Sequence, residues 1–409
     1  MRKNKLFKEL GGVSLAIVML TLLFGLIRPE RVLAAPEAYV LGVMVPLSGP
    51  GAKIGECLAA GAALGAEEIN AKGGINGIPV KLINGDHGAK PDLGVRALRK
   101  LIEVDKILMT MGSWSSVIAA CAPICDQYKV MQFNTGGTSP FLLNLGPYSW
   151  SILSTTLDED RLLLRYLIKE MGKKRIGLVW NNDVMGKAHL EVFQKLVPKY
   201  GGVLVGELPV DEYQIDFESE VAKARRWNAD YIYVTMSGNA YAWIQKAGEK
   251  GLKGIPFGTI SPVIGEEPVQ KAILATGMTA YVCPADMSEK RYPNIAKFRE
   301  KYKVKTGIEF PSIAHLNSYD YVYIAAEIIK LSKAKGGDYL TGERLREALV
   351  EKRTFNGGSG IATTFDIKTG GCSKPMSFVK GFRDPATGKF KLEELTHWTT
   401  EEIQKIREE

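Results

Sequence analysis

The sequence has few of the residues and motifs on which enzyme catalysis depends. It contains only four histidines, and their spacing is not that of metal ligands. A Gly-x-Ser-x-Gly nucleophile motif does not occur. The glycine-rich stretch at residues 73–77 follows a predicted helix and precedes a predicted strand, which is the reverse of a phosphate-binding loop. The sequence therefore predicts no catalytic residues, no metal site and no cofactor.

Cysteine is also scarce, and its number is odd. The five cysteines leave at least one thiol free unless a thiol pairs between two chains. Cys121 and Cys125 lie four residues apart in a predicted helix, which invites a metal or redox interpretation but is poor geometry for a disulfide. No histidine or carboxylate pair nearby completes a metal set, so we predict that both are buried and act as small apolar side chains.

Long apolar runs are absent apart from one at the N-terminus. It spans residues 13–26, about 14 residues, whereas a membrane-spanning helix needs roughly 20. Four basic residues precede it, and Val32 and Ala34 are small enough for a cleavage site after residue 34. We predict a signal peptide at residues 1–34 and a soluble periplasmic chain after cleavage. The alternative is an uncleaved anchor, because residues 28–31 are unusually charged for this position.

Charge of either sign is not concentrated in one stretch. The net charge is +8, and residues 1–34 hold six basic and two acidic residues, so cleavage would remove half of that net charge. Lysine and arginine are otherwise interspersed with aspartate and glutamate, which argues against nucleic acid as a partner. The remaining chain of about 375 residues is longer than a domain with a single hydrophobic core usually is, so we predict two domains.

Apolar, β-rich runs alternate with helical patterns in two series, the first over residues 39–134 and the second over residues 162–282. Strands that alternate with helices of ten or more residues are typical of parallel sheets with helices on both faces. We therefore predict an α/β fold of two doubly wound lobes with parallel-sheet cores. Three more helices and a tail with strands at 361–365, 377–382 and 389–395 follow, so the chain should cross between the lobes more than once.

Two loops in the first series are rich in glycine and hydroxyl residues. Residues 112–116 (Gly-Ser-Trp-Ser-Ser) and 134–139 (Asn-Thr-Gly-Gly-Thr-Ser) each follow a predicted strand. Small molecules bind beyond the carboxyl ends of such strands, where serine hydroxyls and free helix-start amides can receive a carboxylate or an amide. Each loop alone could equally be an N-cap followed by a turn. Two of them on neighbouring strands favour a ligand site.

At these loops the chain resembles the leucine/isoleucine/valine-binding proteins, which are type I periplasmic solute receptors of ABC importers. The segments that carry the resemblance are residues 41–50 (LGVMVPLSGP), Gly55, residues 67–77 (EEINAKGGING), 112–116, 138–140 (TSP) and 248–252 (GEKGL). The match runs in order from about residue 39 to residue 395. It implies two lobes joined by a three-crossover hinge. The N-terminal lobe would comprise residues 38–157 and 285–364, and the C-terminal lobe residues 158–284 and 365–402.

The resemblance also implies a ligand site in the cleft between the lobes. In the N-terminal lobe, Ser115 would hold the ligand carboxylate. The other residues expected there are Gly136, Gly137 and Thr138 as contacts to the carboxylate and amino group, with Trp114 and Ile54 at the cleft wall.

The C-terminal lobe departs from the family pattern. Met185 and Ser237 stand where amino-acid binders usually have tyrosines, and Ile260 lies where the acid that pairs with the ligand's ammonium is expected. An ammonium buried without a counter-charge costs several kcal/mol. These departures suit an apolar or aromatic carboxylate, or a short amide, better than a zwitterion.

The leading hypothesis is an exported receptor that captures an amino acid or a related apolar carboxylate by cleft closure. It would act as a monomer and deliver this small-molecule ligand to the membrane permease subunits of an ABC importer. A binding protein for an aromatic acid or short amide, and an exported ligand sensor of the same fold, remain alternatives. An enzyme has no support, because no acid–base pair can be assigned.

Overall fold

The computed structural model describes residues 36–211, 214–236, 238–261 and 263–409. The predicted signal peptide at 1–34 and the predicted site residue Ser237 lie outside these ranges. Within them, no helix combines the length and the apolar character needed to cross a bilayer. Both predicted series belong to one compact unit, residues 38–409.

The first series forms a parallel five-stranded sheet in the order β2-β1-β3-β4-β5. Its strands are β1 (Tyr39–Val45), β2 (Val80–Asp86), β3 (Met109–Gly112), β4 (Met131–Asn134) and β5 (Ser149–Ser151), and its helices are α1 (Ala52–Ala71), α2 (Pro91–Glu103) and α3 (Ser115–Tyr128). All residues of β3, β4 and β5 are buried, as expected for strands covered on both faces. The strand order reverses at β1, which lies between β2 and β3, and such a reversal opens a crevice beyond the strand ends.

The second series forms a seven-stranded sheet in the order β15-β14-β10-β9-β8-β6-β7. Its parallel strands are β6 (Arg175–Asn181), β7 (Val203–Val210), β8 (Tyr231–Val234), β9 (Phe257–Thr259) and β10 (Ala280–Val282). Its helices are α4 (Thr156–Arg165, continued by a π-turn at Tyr166–Glu170), α5 (Val184–Lys199), α6 (Glu218–Ala224), α7 (Ala240–Glu249) and α8 (Glu267–Thr276). Here the order reverses at β6, which lies between β7 and β8.

The tail forms a small sheet of its own and adds two strands to the second sheet. Helices α9 (Asn294–Thr306), α10 (Ile313–Ala334) and α11 (Gly342–Lys352) precede a small antiparallel sheet of β11 (Thr354–Asn356), β12 (Ala362–Phe365) and β13 (Cys372–Ser373). The chain then returns to the second sheet as the antiparallel hairpin β14 (Met376–Arg383) and β15 (Phe390–Trp398), and it ends in α12 (Thr400–Glu408). The Asp384-Pro385 pair and Gly388 predict a hairpin turn between β14 and β15, and the structure confirms it: Asp384 N donates to Lys389 O at 2.8 Å, and Gly388 has φ +69°.

Each sheet has its own hydrophobic core. Trp243 and Phe257 are fully buried in the core of the second sheet. Tyr321 of α10 packs with the first sheet, so the chain passes between the sheets after β5, after β10 and again before β14. The predicted fold of two parallel-sheet lobes with three crossovers is confirmed. The lobe bounds stay a prediction, although Phe365 and Cys372 pack in the first core and favour a boundary a few residues later.

Candidate functional site

Of the two loops predicted to hold a ligand, one flanks the strand-order reversal of the first sheet and the other follows the neighbouring strand β4. In the first sheet, the loops after β1 and β3 flank the reversal, and Trp114 follows β3. In the second sheet, the loops after β6 and β8 flank it, and Met185 follows β6. Because parallel strands end at the same edge of a sheet, these loops gather at one edge in each sheet.

The loop after β3 turns sharply into helix α3. Ser113 N donates to Met44 O at 3.2 Å, which ties this loop to the end of β1. Trp114 occupies the N-cap position with φ +65°. A positive φ on a bulky residue stores backbone strain, which in proteins is concentrated at functional sites. The half-buried Trp114 ring lies edge-on to the ring of His87, with centroids 6.2 Å apart.

The loop after β4 is shaped by the side chain of Asn134. Its Oδ1 accepts hydrogen bonds from Gly136 N at 3.2 Å and from Gly137 N at 2.6 Å. The two loops then touch: Ser139 N donates to Ser115 Oγ at 3.4 Å, and a Cβ added to Gly137 would lie 3.0 Å from the same oxygen. Ser115, Gly136, Gly137 and the residues after them therefore form one continuous polar surface.

Two hydroxyl groups on this surface have no partner. Thr138 Oγ1 and Ser139 Oγ are buried, and neither has a hydrogen-bond partner among the described residues. A buried polar atom left unsatisfied costs about 1–3 kcal/mol, and most such atoms in folded proteins are paired. Two adjacent unpaired hydroxyls beyond the carboxyl end of a parallel strand are the arrangement expected of a surface that completes its hydrogen bonds with a ligand.

The other predicted site residues in the described ranges are apolar and lie at the strand ends or first helical turns of the two sheets. Ile54 is half-buried in the first turn of α1 and packs against the first core together with Trp114. Met185 is half-buried in the first turn of α5, where the Asp183 side chain caps the helix by accepting from Gly186 N at 2.7 Å. Ile260 is buried directly after β9. The second sheet thus contributes apolar surface at its strand ends.

A carboxyl group that the sequence analysis did not single out lies beside Ile260. Glu159, in the first turns of α4, is 3% exposed, and its Oε1 accepts a hydrogen bond from Ser261 Oγ at 2.8 Å. Burial raises the pKa of this carboxyl to about 8, and the Ser261 hydrogen bond opposes that shift. The two residues are 102 positions apart, so no local sequence pattern could have paired them.

Three of the four histidines, His87, His189 and His315, are buried. Burial lowers the pKa of His87 and of His315 to about 4, so both rings are neutral at pH 7. His189 Nδ1 lies 2.7 Å from Asp160 Oδ2, and both side chains are fully buried. Across the described ranges, no group of three or more histidine, cysteine or acidic side chains could hold a metal ion.

All five cysteines are free and buried, including Cys121 and Cys125, which confirms the sequence interpretation of that pair. Burial raises the pKa of Cys121 to about 12 and that of Cys372 to about 11, which suppresses the reactive thiolate. We expect the native protein to react with DTNB only slowly, and the chain unfolded in guanidinium without reductant to titrate five thiols. Rapid labelling of the native protein, or fewer than five thiols after unfolding, would contradict this.

A model of the periplasmic binding protein family matches residues 39–385, which is most of the chain. The chain belongs to the periplasmic binding protein family. The Leu/Ile/Val-binding protein of Escherichia coli K12 is 25% identical over 331 residues, covering 76% of this chain and 87% of that protein. An amino acid binding protein of Pseudomonas aeruginosa is 26% identical over 196 residues, so this match spans 47% of the chain and only about half, 52%, of that relative.

Solved structures of periplasmic binding proteins share the fold. A solute-binding protein of an ABC transporter from Rhodopseudomonas palustris, in complex with 3,4-dihydroxybenzoic acid, has a TM-score of 0.77 at 19% identity and covers 89% of this chain and 98% of its own. A substrate-binding protein from Streptococcus pneumoniae, in complex with isoleucine, has a TM-score of 0.73 at 20% identity, with 88% and 99% covered. The family confirms the resemblance inferred from the sequence and identifies a binding protein rather than an enzyme.

Proposed function

We propose that this periplasmic binding protein is the extracytoplasmic solute receptor of an ABC importer and captures a small carboxylate with a largely apolar body. It would be exported by the N-terminal signal, act as a monomer and deliver its solute to the permease subunits. The named relatives support this range of ligands, since they include leucine-type amino-acid binders and a structure with 3,4-dihydroxybenzoic acid.

The observation that carries the proposal is the pair of touching loops after β3 and β4. Ser115 begins helix α3, whose N-terminus has no side-chain cap, so the Ser115 hydroxyl and the N–H groups of Ser115 and Ser116 can bind an anion together. The unpaired hydroxyls of Thr138 and Ser139 lie in the adjacent loop and supply further donors. We therefore assign the solute carboxylate to these two loops.

The apolar surface of the second sheet supports the second part of the proposal, that the body of the solute is largely apolar. Met185 and Ile260 offer no charge to an ammonium group, and Glu159 is held neutral below about pH 8. An aliphatic or aromatic carboxylate fits this surface without an unpaired buried charge. Capture would follow from closure of the two lobes, because only a ligand that contacts both of them favours the closed state.

A thermal-shift panel of leucine, isoleucine, benzoate, 3,4-dihydroxybenzoate and benzamide tests this function. A solute at 100 times its dissociation constant should stabilise the protein by about 2.7 kcal/mol. We expect Ser115→Ala to remove most of that stabilisation for a carboxylate, because a charge-assisted hydrogen bond contributes about 1.5–3 kcal/mol.

Ser116→Ala is the matched control, since Ser116 is the next residue in the same helix and is exposed. This variant should keep the full ligand-induced shift. A ligand-induced shift in the Ser115→Ala protein equal to that of the unmodified protein would show that Ser115 does not bind the carboxylate. No shift with any carboxylate, at concentrations up to the millimolar range, would refute a carboxylate solute.

A further inference from the structure

A cavity of about 500 Å³ adjoins the loop after β4, one of the two loops assigned to the carboxylate. One side is formed by residues 139–141, which directly follow Thr138. The other side is formed by Leu157 and Arg161 of α4 and by residues 184–196 of α5. The cavity therefore lies between a loop of the first sheet and helices of the second, and it shares Ser139 with the proposed site.

The wall of this cavity suits an apolar body with one polar anchor. Phe141, Leu157, Val192 and Leu196 provide aliphatic and aromatic surface. Ser139 lines the same cavity, is fully buried, and its Oγ has no hydrogen-bond partner in the described part of the chain. An unsatisfied buried hydroxyl beside an apolar cavity is more stable once a ligand atom accepts or donates a hydrogen bond there.

The outer edge of the cavity is positively charged. Among the described residues that line it, Arg161, Lys187 and Lys195 are basic and Glu191 is acidic. Arg161 lies 3.6 Å from Asp158, so its charge is partly compensated. Lys187 and Lys195 are exposed, lie eight residues apart on α5, and have no ion-pair partner within the described ranges. Residues four and eight apart share one face of a helix, so both amines border the same opening.

We propose that this cavity is a second compartment of the solute site and that the solute is a dicarboxylate with an apolar body. The inference rests on the proposed function, because one carboxylate is assigned to the loops that contain Ser115 and Thr138. The apolar body extends past Ser139 into the cavity, and the second carboxylate meets one of the two amines, Lys187 or Lys195, which lie about 12 Å apart along α5 with Glu191 between them. Both lysines are exposed, so their contribution depends on ionic strength.

Isothermal titration calorimetry with two matched pairs of acids tests the proposal: octanedioate against octanoate, and benzene-1,4-dicarboxylate against benzoate. Each pair differs only in the second carboxylate. At low ionic strength we expect at least one dicarboxylate to bind about tenfold or more tightly than its monocarboxylate. The double variant Lys187→Met, Lys195→Met should lose this preference and keep the monocarboxylate affinity. Added salt should reduce the preference in the unmodified protein only.

Lys199→Met is the matched control, because Lys199 lies on the same helix, is exposed and is not part of the cavity wall. It should leave the dicarboxylate preference unchanged. Equal affinities within both pairs, or a preference that survives the double variant, would overturn the inference. One result would separate the two proposals. If Ser115→Ala lowers the affinity for both acids of a pair while the lysine variants lower the affinity for neither, the second compartment is refuted and the proposed function is supported. If none of the four acids binds, the assignment of a carboxylate solute fails with it.

Discussion

Replacing Gly186 by alanine is expected to destabilise the protein by about 3 kcal/mol, close to the upper end of the usual cost of overpacking. A Cβ at this position would lie 1.9 Å from the carbonyl oxygen of Asn181, which is the last residue of β6. Backbone atoms cannot move aside as a flexible side chain can, so the turn from β6 into α5 must shift. The same shift displaces Met185 from its proposed place, so ligand binding should weaken as well.

Gly254→Ala is the control for this substitution. No atom lies within 4 Å of a Cβ built on Gly254, and the residue is exposed. Its free energy of unfolding should stay within about 0.5 kcal/mol of the unmodified protein. Chemical denaturation of both variants measures the difference, and a Gly186→Ala protein as stable as the control would show that the turn can relax around the new methyl group.

The alternation of strands and helices could be read from the sequence because each element carries a local pattern. Helix α1 shows where this fails: the small apolar residues predict a helix over residues 59–70, whereas the helix begins at Ala52. Its first turn contains Gly55, a poor helix former. A Cβ there would lie 1.7 Å from Pro46 O, so close packing against the end of β1, and not local preference, requires glycine and sets the helix start.

Strand β5 was missed for a different reason. Its residues Ser149 and Ser151 are polar but buried, so no apolar pattern marks the strand. Their hydroxyls are paired with side chains of the neighbouring strand: Gln132 Nε2 donates to Ser149 Oγ, and Asn134 Nδ2 donates to Ser151 Oγ, both at 2.8 Å. Such side-chain pairing across strands offsets the cost of burial and exists only once the sheet has formed.

In the candidate site, too, local features could be predicted from the sequence and contacts between distant segments could not. The two loops of the first sheet were predicted because glycines and hydroxyls that follow a strand form a local motif. The contact between Ser115 and Ser139, and the position of Glu159 beside Ser261, depend on how distant segments pack. A sequence pattern can indicate the residue types of a binding loop, but the partner that another element brings to it appears only in three dimensions.

Glu159 leads to the second large expected effect, which is a dependence of stability on pH. The folded protein keeps the Glu159 proton up to about pH 8, whereas the ordinary value is 4.5, so the folded state binds more protons than the unfolded chain between these values. The contribution of this group to stability therefore falls as the pH rises through the window, and the loss is complete above about pH 8. Each pH unit corresponds to about 1.4 kcal/mol, which gives a loss of up to about 3 kcal/mol from pH 6 to pH 8.

Glu159→Gln should remove this loss, because the amide keeps the shape of the protonated carboxyl and can still accept from Ser261. Groups that face Glu159 include Asp158 and Asp160 on the same helix, Tyr233 of β8 and Cys283 after β10, and they remain in both proteins. Burial also raises the pKa of Glu266 to about 8, so the unmodified protein and the variant share that second contribution, and only their difference reports on Glu159.

We therefore expect the free energies of unfolding of the two proteins to lie close together at pH 4.5 and below and to diverge steadily as the pH rises from about 5 to 8, with Glu159→Gln the more stable at pH 8.5. Glu300→Gln, an exposed substitution on α9, should follow the unmodified protein at every pH. A constant difference between Glu159→Gln and the unmodified protein from pH 5 to pH 8.5 would mean that Glu159 is already ionised in the folded state. The charge of the second sheet's strand ends would then favour a solute with an amino group over a plain carboxylate.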